Sequence, residues 1–322
     1  MDRRGMTIPF LDIPLVEQRE WVKELADRGW TDVWSAEADG YDAFTPLALA
    51  SAWAPELRLG TAIVPAFTRS PALMAQSVAT MAAAAPGRFV FGIGTSSDVI
   101  VERWNGIPFE EPYRQVRDMV RFVGDAMGGD KVSATVGNRD VNGFRLGVKV
   151  AEPPKVMVAA LRPGMLRLAG RESDGAIINW LSADDVRTVA PVVHEAAPEG
   201  AGREVVARIF VMPDADRATV LWLGRRMIAS YLNVPVYRAF HEWLGRTEEL
   251  AEMWRLWGEG DRAGATDAIP EKVVDELIVS GPAEACREHV ERYRANGVTT
   301  PCVALLAAGE DQRTAFRALS PQ

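Results

Sequence analysis

The chain has 322 residues, about twice a typical domain, so two domains or one large barrel are the opening options. Hydrophobic residues make up 48% and charged residues 25%, the balance of an ordinary globular protein and not of a disordered one. A formal charge of −8 lacks the basic footprint of a nucleic-acid binder, and the two cysteines, Cys286 and Cys302, sit in no pattern that would hold zinc or a disulfide framework.

The opening MDRRGMTIPFLDIP lacks the uninterrupted apolar core of a secretory leader, which makes the cytoplasm the economical location. Residues 5–10 read as a first strand and 14–28 as a helix, with Val16, Val22, Leu25 and Ala26 at three- and four-residue steps before Gly29. Strand 32–37, helix 45–54, strand 57–64, helix 71–85, strand 89–94 and helix 112–127 continue the alternation. The stretch 70–87 is uncharged, but its alanines, prolines and hydroxyl residues make a poor membrane span. Two alternating pieces, KVSATV and DVNGFRL, joined at GNR, predict an inserted hairpin over 131–146. The rhythm then resumes with strand 156–160, helix 164–172, strand 175–179, helix 184–197 and strand 205–212. A long helical stretch rich in Trp and Tyr spans 215–277, followed by helix 282–296, strand 300–305 and helix 311–319.

Eight apolar strands, each followed by helix, predict an α/β fold with a parallel sheet covered on its faces. A (β/α)8 TIM barrel fits best: one domain over 1–322, with the hairpin and a lid-like helical insertion near 215–277. An open doubly wound sheet competes, but no linker divides the chain. In a barrel the chemistry sits at the C-terminal strand ends, here 37–39, 63–66, 94–97, 160–163, 179–181 and 212–214. These ends hold few acids or bases. His194, His241 and His289 all fall in predicted helices, so neither a metal centre nor a Ser–His–Asp triad is placed. Small, apolar strand ends suit a cofactor that carries the chemistry itself. GTAIVP (60–65) offers backbone for a flat ring. GIGTSS (92–97) either cradles phosphate or merely tightens a turn. Arg162 stands beside the N–H groups that open a helix, as an anion ligand or as an ordinary surface arginine.

The blocks 29–50 (GWTDVWSAEADGYDAFTPLALA), 57–76 (LRLGTAIVPAFTRSPALMAQ), 86–97 (PGRFVFGIGTSS), 155–186 and 269–298 together resemble the luciferase-like monooxygenase superfamily, most of all its deazaflavin branch, which uses coenzyme F420. The resemblance implies a non-prolyl cis peptide at Ala62–Ile63, in a bulge that backs the deazaflavin ring together with Val64. It implies that Gly94 and Thr95 contact the ring or ribityl chain. Ala159, Ala160, Leu161 and Arg162 would line the phosphate and tail, and Asn179 and Trp180 the far side of the ring. Where several deazaflavin enzymes carry an Asp-His pair, this chain has Glu37 and Ala38, which leaves Glu37 as the candidate acid–base residue or as a structural carboxylate. A sugar-phosphate substrate is disfavoured, because no matching group of basic residues is evident.

Tyr231, Tyr237 and His241, in the aromatic segment after the seventh strand, are candidates for a substrate pocket, and the tryptophans there for the core of the insertion. Helices 45–54 and 71–85 carry no charge at all, which predicts that a second subunit covers them in a homodimer. Three functions follow. The first is an F420-dependent oxidoreductase moving a hydride to or from a small organic substrate. The second is an FMN-dependent monooxygenase fed by a separate flavin reductase. The third is a cofactor-binding protein without catalysis. No metal, nucleic acid or membrane is expected as a partner.

Overall fold

The computed structural model describes residues 2–307 and 310–321. The chain runs through β1 (Gly5–Thr7), β2 (Asp32–Ser35), β3 (Arg58–Thr61), the two-residue β4 (Val64–Pro65) and β5 (Phe89–Gly94). An antiparallel hairpin of β6 (Val132–Val136) and β7 (Arg139–Phe144) follows, then β8 (Lys155–Ala159), β9 (Gly175–Asn179), β10 (Glu204–Pro213), β11 (Ile278–Gly281) and β12 (Thr300–Leu305). Strands β1, β2, β3, β5, β8, β9, β10 and β12 pair in that order, all parallel, and β12 returns to β1. The barrel is closed, as the alternation predicts.

The outer layer holds α1 (Arg19–Asp27), α2 (Phe44–Trp53), α3 (Pro71–Ala84), α4 (Pro112–Met127), α5 (Pro163–Glu172) and α6 (Val186–Glu195). The insertion comprises α7 (Arg217–Leu232), α8 (Pro235–Trp243), α9 (Thr247–Glu259), α10 (Arg262–Asp267) and α11 (Glu271–Leu277), and α12 (Ala283–Ala295) and α13 (Glu310–Ala318) complete the ring. Proline opens α3, α4, α5 and α8, where its missing N–H costs nothing. In α4, Val116, Met119, Val120 and Val123 turn one apolar stripe inward.

Trp34, Val90, Met157, Ile177, Val206 and Cys302 fill the barrel interior. Two glycines make room for them. A Cβ at Gly60 would lie 2.2 Å from the Trp34 ring, and one at Gly92 would lie 1.8 Å from the Thr61 carbonyl oxygen. Gly60 and Gly92 are therefore packing glycines, not exposed ring or phosphate contacts. At the N-terminal face the first residues of four strands meet: Arg58 donates to Asp32, to both Glu204 carboxylate oxygens (2.9 and 2.6 Å) and to Thr300 (3.2 Å).

Four expectations change. The first strand stops at Thr7, before a cis Ile8–Pro9 bond. The third stops at Thr61 and resumes only at Val64, interrupted by the Ala62–Ile63 bulge. Residues 99–104, read as no element, wind into a π-helical segment. The stretch 215–277 is five helices with breaks, and it ends in the unforeseen strand β11. That strand takes over from β9 along β10: residues 204–208 of β10 pair with β9, and Phe210–Pro213 pair with β11. Only four residues long and directly behind an apolar helix, it has no period of its own to betray it.

Candidate functional site

At the C-terminal mouth the backbone turns sharply after three strands. Ser96, Trp180 and Asp214, just beyond β5, β9 and β10, are non-glycine residues at φ 62°, 55° and 57°. Such conformations cost on the order of 1–3 kcal/mol each and persist where surroundings enforce them.

The ledge after β3 is clasped from both sides. The Ala62–Ile63 peptide is cis. Ala62 N–H donates to the Ser35 carbonyl (2.5 Å) and Glu37 N–H to the Ile63 carbonyl (3.2 Å), which ties the bulge to the end of β2. The loop beyond it is held by Gln115 Nε2 on the Ala66 carbonyl (2.9 Å) and by Arg139, from the hairpin, on the Phe67 and Arg69 carbonyls (3.0 and 3.1 Å). Arg69 closes the clasp with a bidentate pair to Glu37, at 2.6 and 2.8 Å. Ala43 N–H adds a third bond to the same carboxylate at 3.2 Å. Both Glu37 oxygens are thus engaged, an arrangement that ties the mouth loops together. Arg69 is the partner that a reading of strand ends alone misses.

On the opposite wall, Trp180 packs against Phe210 and Tyr231 (ring centroids 4.3 and 4.9 Å), and Tyr231 meets Tyr237 edge-on at 5.8 Å. Asn179 Oδ1 accepts from Trp180 N–H at 3.0 Å. Burial, with Tyr231 beside it, pushes the Tyr237 hydroxyl up to about 12, although Asn179 and Arg208 pull the other way. Tyr231 and Tyr237 are half-buried in this wall. His241, by contrast, is 0% exposed, neither ring nitrogen has a hydrogen-bond partner, and burial pushes its pKa down to about 3. It is a neutral packing residue under the aromatic wall. Trp254 is likewise core, its indole N–H donating to the Leu232 carbonyl at 2.9 Å.

The third wall comes from β5 and β8. Gly94 and Ala160 are buried and offer backbone only, while Thr95, Ala159 and Leu161 are half-buried at the rim. Arg162 is exposed at the N-terminus of α5, with no ion pair among the described residues. Val64 is wholly buried, so its side chain belongs to the core.

Beside the ledge lies a recess lined by Thr7, Trp34, Ser35, Ala36, Ala62, Ile177, Val206, Arg208 and Cys302. The recess is apolar apart from Thr7, Ser35 and Arg208, and on the outer rim Arg162 with the α5 N–H groups fits an anionic tail. Cys302 is no nucleophile, since burial pushes its thiol up to about 12. Arg208 was not anticipated, yet the sequence marks it. In VVARIFVM it is the one charge, and two-residue periodicity puts it on the same face as Val206 and Phe210.

Residues 3–300 match the family model of the luciferase-like monooxygenases. A Mycobacterium tuberculosis protein provisionally named a coenzyme F420-dependent oxidoreductase is 26% identical over 319 residues, covering 89% of this chain and 90% of its own. The 5,10-methylenetetrahydromethanopterin reductase of Archaeoglobus fulgidus is 26% identical over 327 residues, covering 97% of this chain and 96% of its own. In three dimensions the chain is similar to the coenzyme F420-dependent tetrahydromethanopterin reductase of Methanopyrus kandleri, with a TM-score of 0.81, 20% identity, and 99% and 97% of the two chains covered. With a closed eightfold barrel, a bulged third strand and a family match over nearly its whole length, the chain belongs to the luciferase-like monooxygenase family.

Proposed function

We propose that the protein is a coenzyme F420-dependent oxidoreductase that transfers a hydride between the deazaflavin and a small organic substrate. The observation that carries this reading is the clasped Ala62–Ile63 ledge beside an apolar recess, in a chain similar over most of its length to a protein named for F420 and in fold to another. A bound deazaflavin supplies the hydride donor or acceptor. Ala62 and Ile63 would back its ring, with the Val64 backbone behind them. Gly94 and Thr95 would flank the ribityl chain. Ala159, Ala160, Leu161 and Arg162 would hold the phosphate and tail, and Asn179 and Trp180 the far side of the ring. Tyr231 and Tyr237 would border the substrate beneath α7 and α8. Because Tyr237 keeps its proton, it can donate a hydrogen bond to a substrate oxygen throughout the neutral range. Glu37, paired with Arg69, would act by fixing the ledge and not as a free base.

Paired titrations of the apo protein with coenzyme F420 and with FMN, read by fluorescence, test this. The expected result is F420 binding at least tenfold tighter, about 1.4 kcal/mol. Preference for FMN would overturn it in favour of a monooxygenase fed by a flavin reductase. Binding of F420 without hydride exchange would leave a cofactor carrier.

The reading extends to a cytoplasmic homodimer. The outer faces of α2 and α3 present Thr45, Ala48, Ala52, Leu73, Gln76 and Thr80, with Leu73 49% exposed and no charge among them. Light scattering at micromolar concentration should give twice the chain mass. A monomer would refute the dimer. No helix among the described residues is long and apolar enough to cross a membrane.

A further inference from the structure

The two buried arginines among the described residues are neutralised. Arg58 is held by Asp32 and Glu204, and Arg246 by Asp185 and Glu276, both at 2.8 Å. Arg208 is different. Its guanidinium lies over the Phe210 ring, 4.9 Å from the centroid, and its Nε is buried with no acceptor. No hydrogen bond or ion pair joins it to any described residue. Nor can its neighbours supply the missing charge. The titratable groups that sense it, Tyr237 from the insertion and Cys302 from β12, are both pushed up to about 12 by burial and stay neutral. Glu37, at the end of β2, is occupied by Arg69. Arg208 is half-buried, yet its sealed Nε lacks an acceptor and the cation lacks a countercharge among the described residues, both of which a ligand in the recess would supply.

We propose that the missing countercharge is a carboxylate of the substrate, held by the Arg208 guanidinium in the recess that Ala62 and Ile177 wall. This rests on the oxidoreductase reading and names its substrate class: small organic acids, not neutral alcohols or aldehydes. The planar guanidinium fork matches a carboxylate, and a single arginine balances a single charge. A phosphate, with up to two charges, would leave one uncompensated against Trp34, Ile177 and Val206.

Calorimetric titration of the full chain with acetate, pyruvate and benzoate, each against its neutral amide, tests the assignment. At least one acid should bind tenfold or more tighter than its amide. Arg208→Gln should abolish that preference, Arg208→Lys should keep part of it, and F420 affinity should change less than twofold in both. Denaturation midpoints of the variants establish that they are folded. No acid preference in the wild type, or a preference that survives in Arg208→Gln, overturns the proposal. So does a tenfold loss of F420 affinity in Arg208→Gln, which would assign the arginine to the coenzyme. Acid preference in a protein that binds no F420 overturns the oxidoreductase reading alone.

Discussion

Arg58 and Arg208 occupy opposite ends of one barrel under opposite conditions. Arg58, 8% exposed, starts β3 and saturates its guanidinium on Asp32, Glu204 and Thr300. The side chain of Arg208, midway along β10 and level with the end of β9, makes no hydrogen bond or ion pair among the described residues. The difference teaches what each end does. A closed set of charges at the N-terminal face fastens strand starts together, whereas an open one at the C-terminal face waits for something that is not protein.

The largest effect should come from breaking the closed set. Arg58→Met takes the central cation from the 0% exposed Asp32, which keeps Arg3, and from Glu204, which keeps Thr300, and should cost about 3–5 kcal/mol in denaturant unfolding. Arg208→Met should shift the same midpoint by less than about 0.5 kcal/mol, since it removes an unpaired charge. Equal losses would erase the distinction. The acid limb sharpens it further. Burial alone would raise the Glu204 pKa, but Arg58 reverses this and holds it below the ordinary 4.5. The stability this carboxylate lends is therefore complete above pH 4.5 and is lost as pH falls through its lowered pKa. That limb should be flatter in Arg58→Met, whose Glu204 lacks the pairing. Arg246→Met should cost less than Arg58→Met, about 1–3 kcal/mol, because Glu276 is partly exposed and can recover water. Proteolysis should then find the α8–α9 junction first, since Arg246 joins it to Asp185 ahead of α6 and to Glu276 on α11.

The scaffold was legible because its signals repeat. Eight apolar runs alternating with helical ones predict a closed barrel, and KVSATV–GNR–DVNGFRL predicts its hairpin. The ledge came from resemblance and not from periodicity, since nothing in Ala62 or Ile63 as residue types announces a bulge. Other features depend on partners far apart in sequence. Glu37 looks like a free acid until Arg69, 32 residues on, is placed against it. His241 looks like a ligand on an aromatic helix until the insertion folds over it and removes both water and partners. Gly60 and Gly92 look like openings until Trp34 and the Thr61 carbonyl fill them. Arg208 was legible and overlooked: a lone charge inside an apolar strand, on the face of Val206 and Phe210, marks a place where the barrel interior opens toward its mouth.

The handover along β10 has an evolutionary consequence. On one edge its lower half pairs with β9 and completes the wall, and its upper half pairs with β11 at the end of the insertion, while β12 runs along the other edge from Val206 to Val211. Structural duty and chemical novelty are thus separated within ten residues of a single strand. Everything from Asp214 to Gly281 hangs from that upper half and returns to it, like a cassette with both contacts on one rail. A lineage can lengthen, shorten or replace the cassette to suit a new substrate while the seam that closes the barrel, four residues below, never has to reopen.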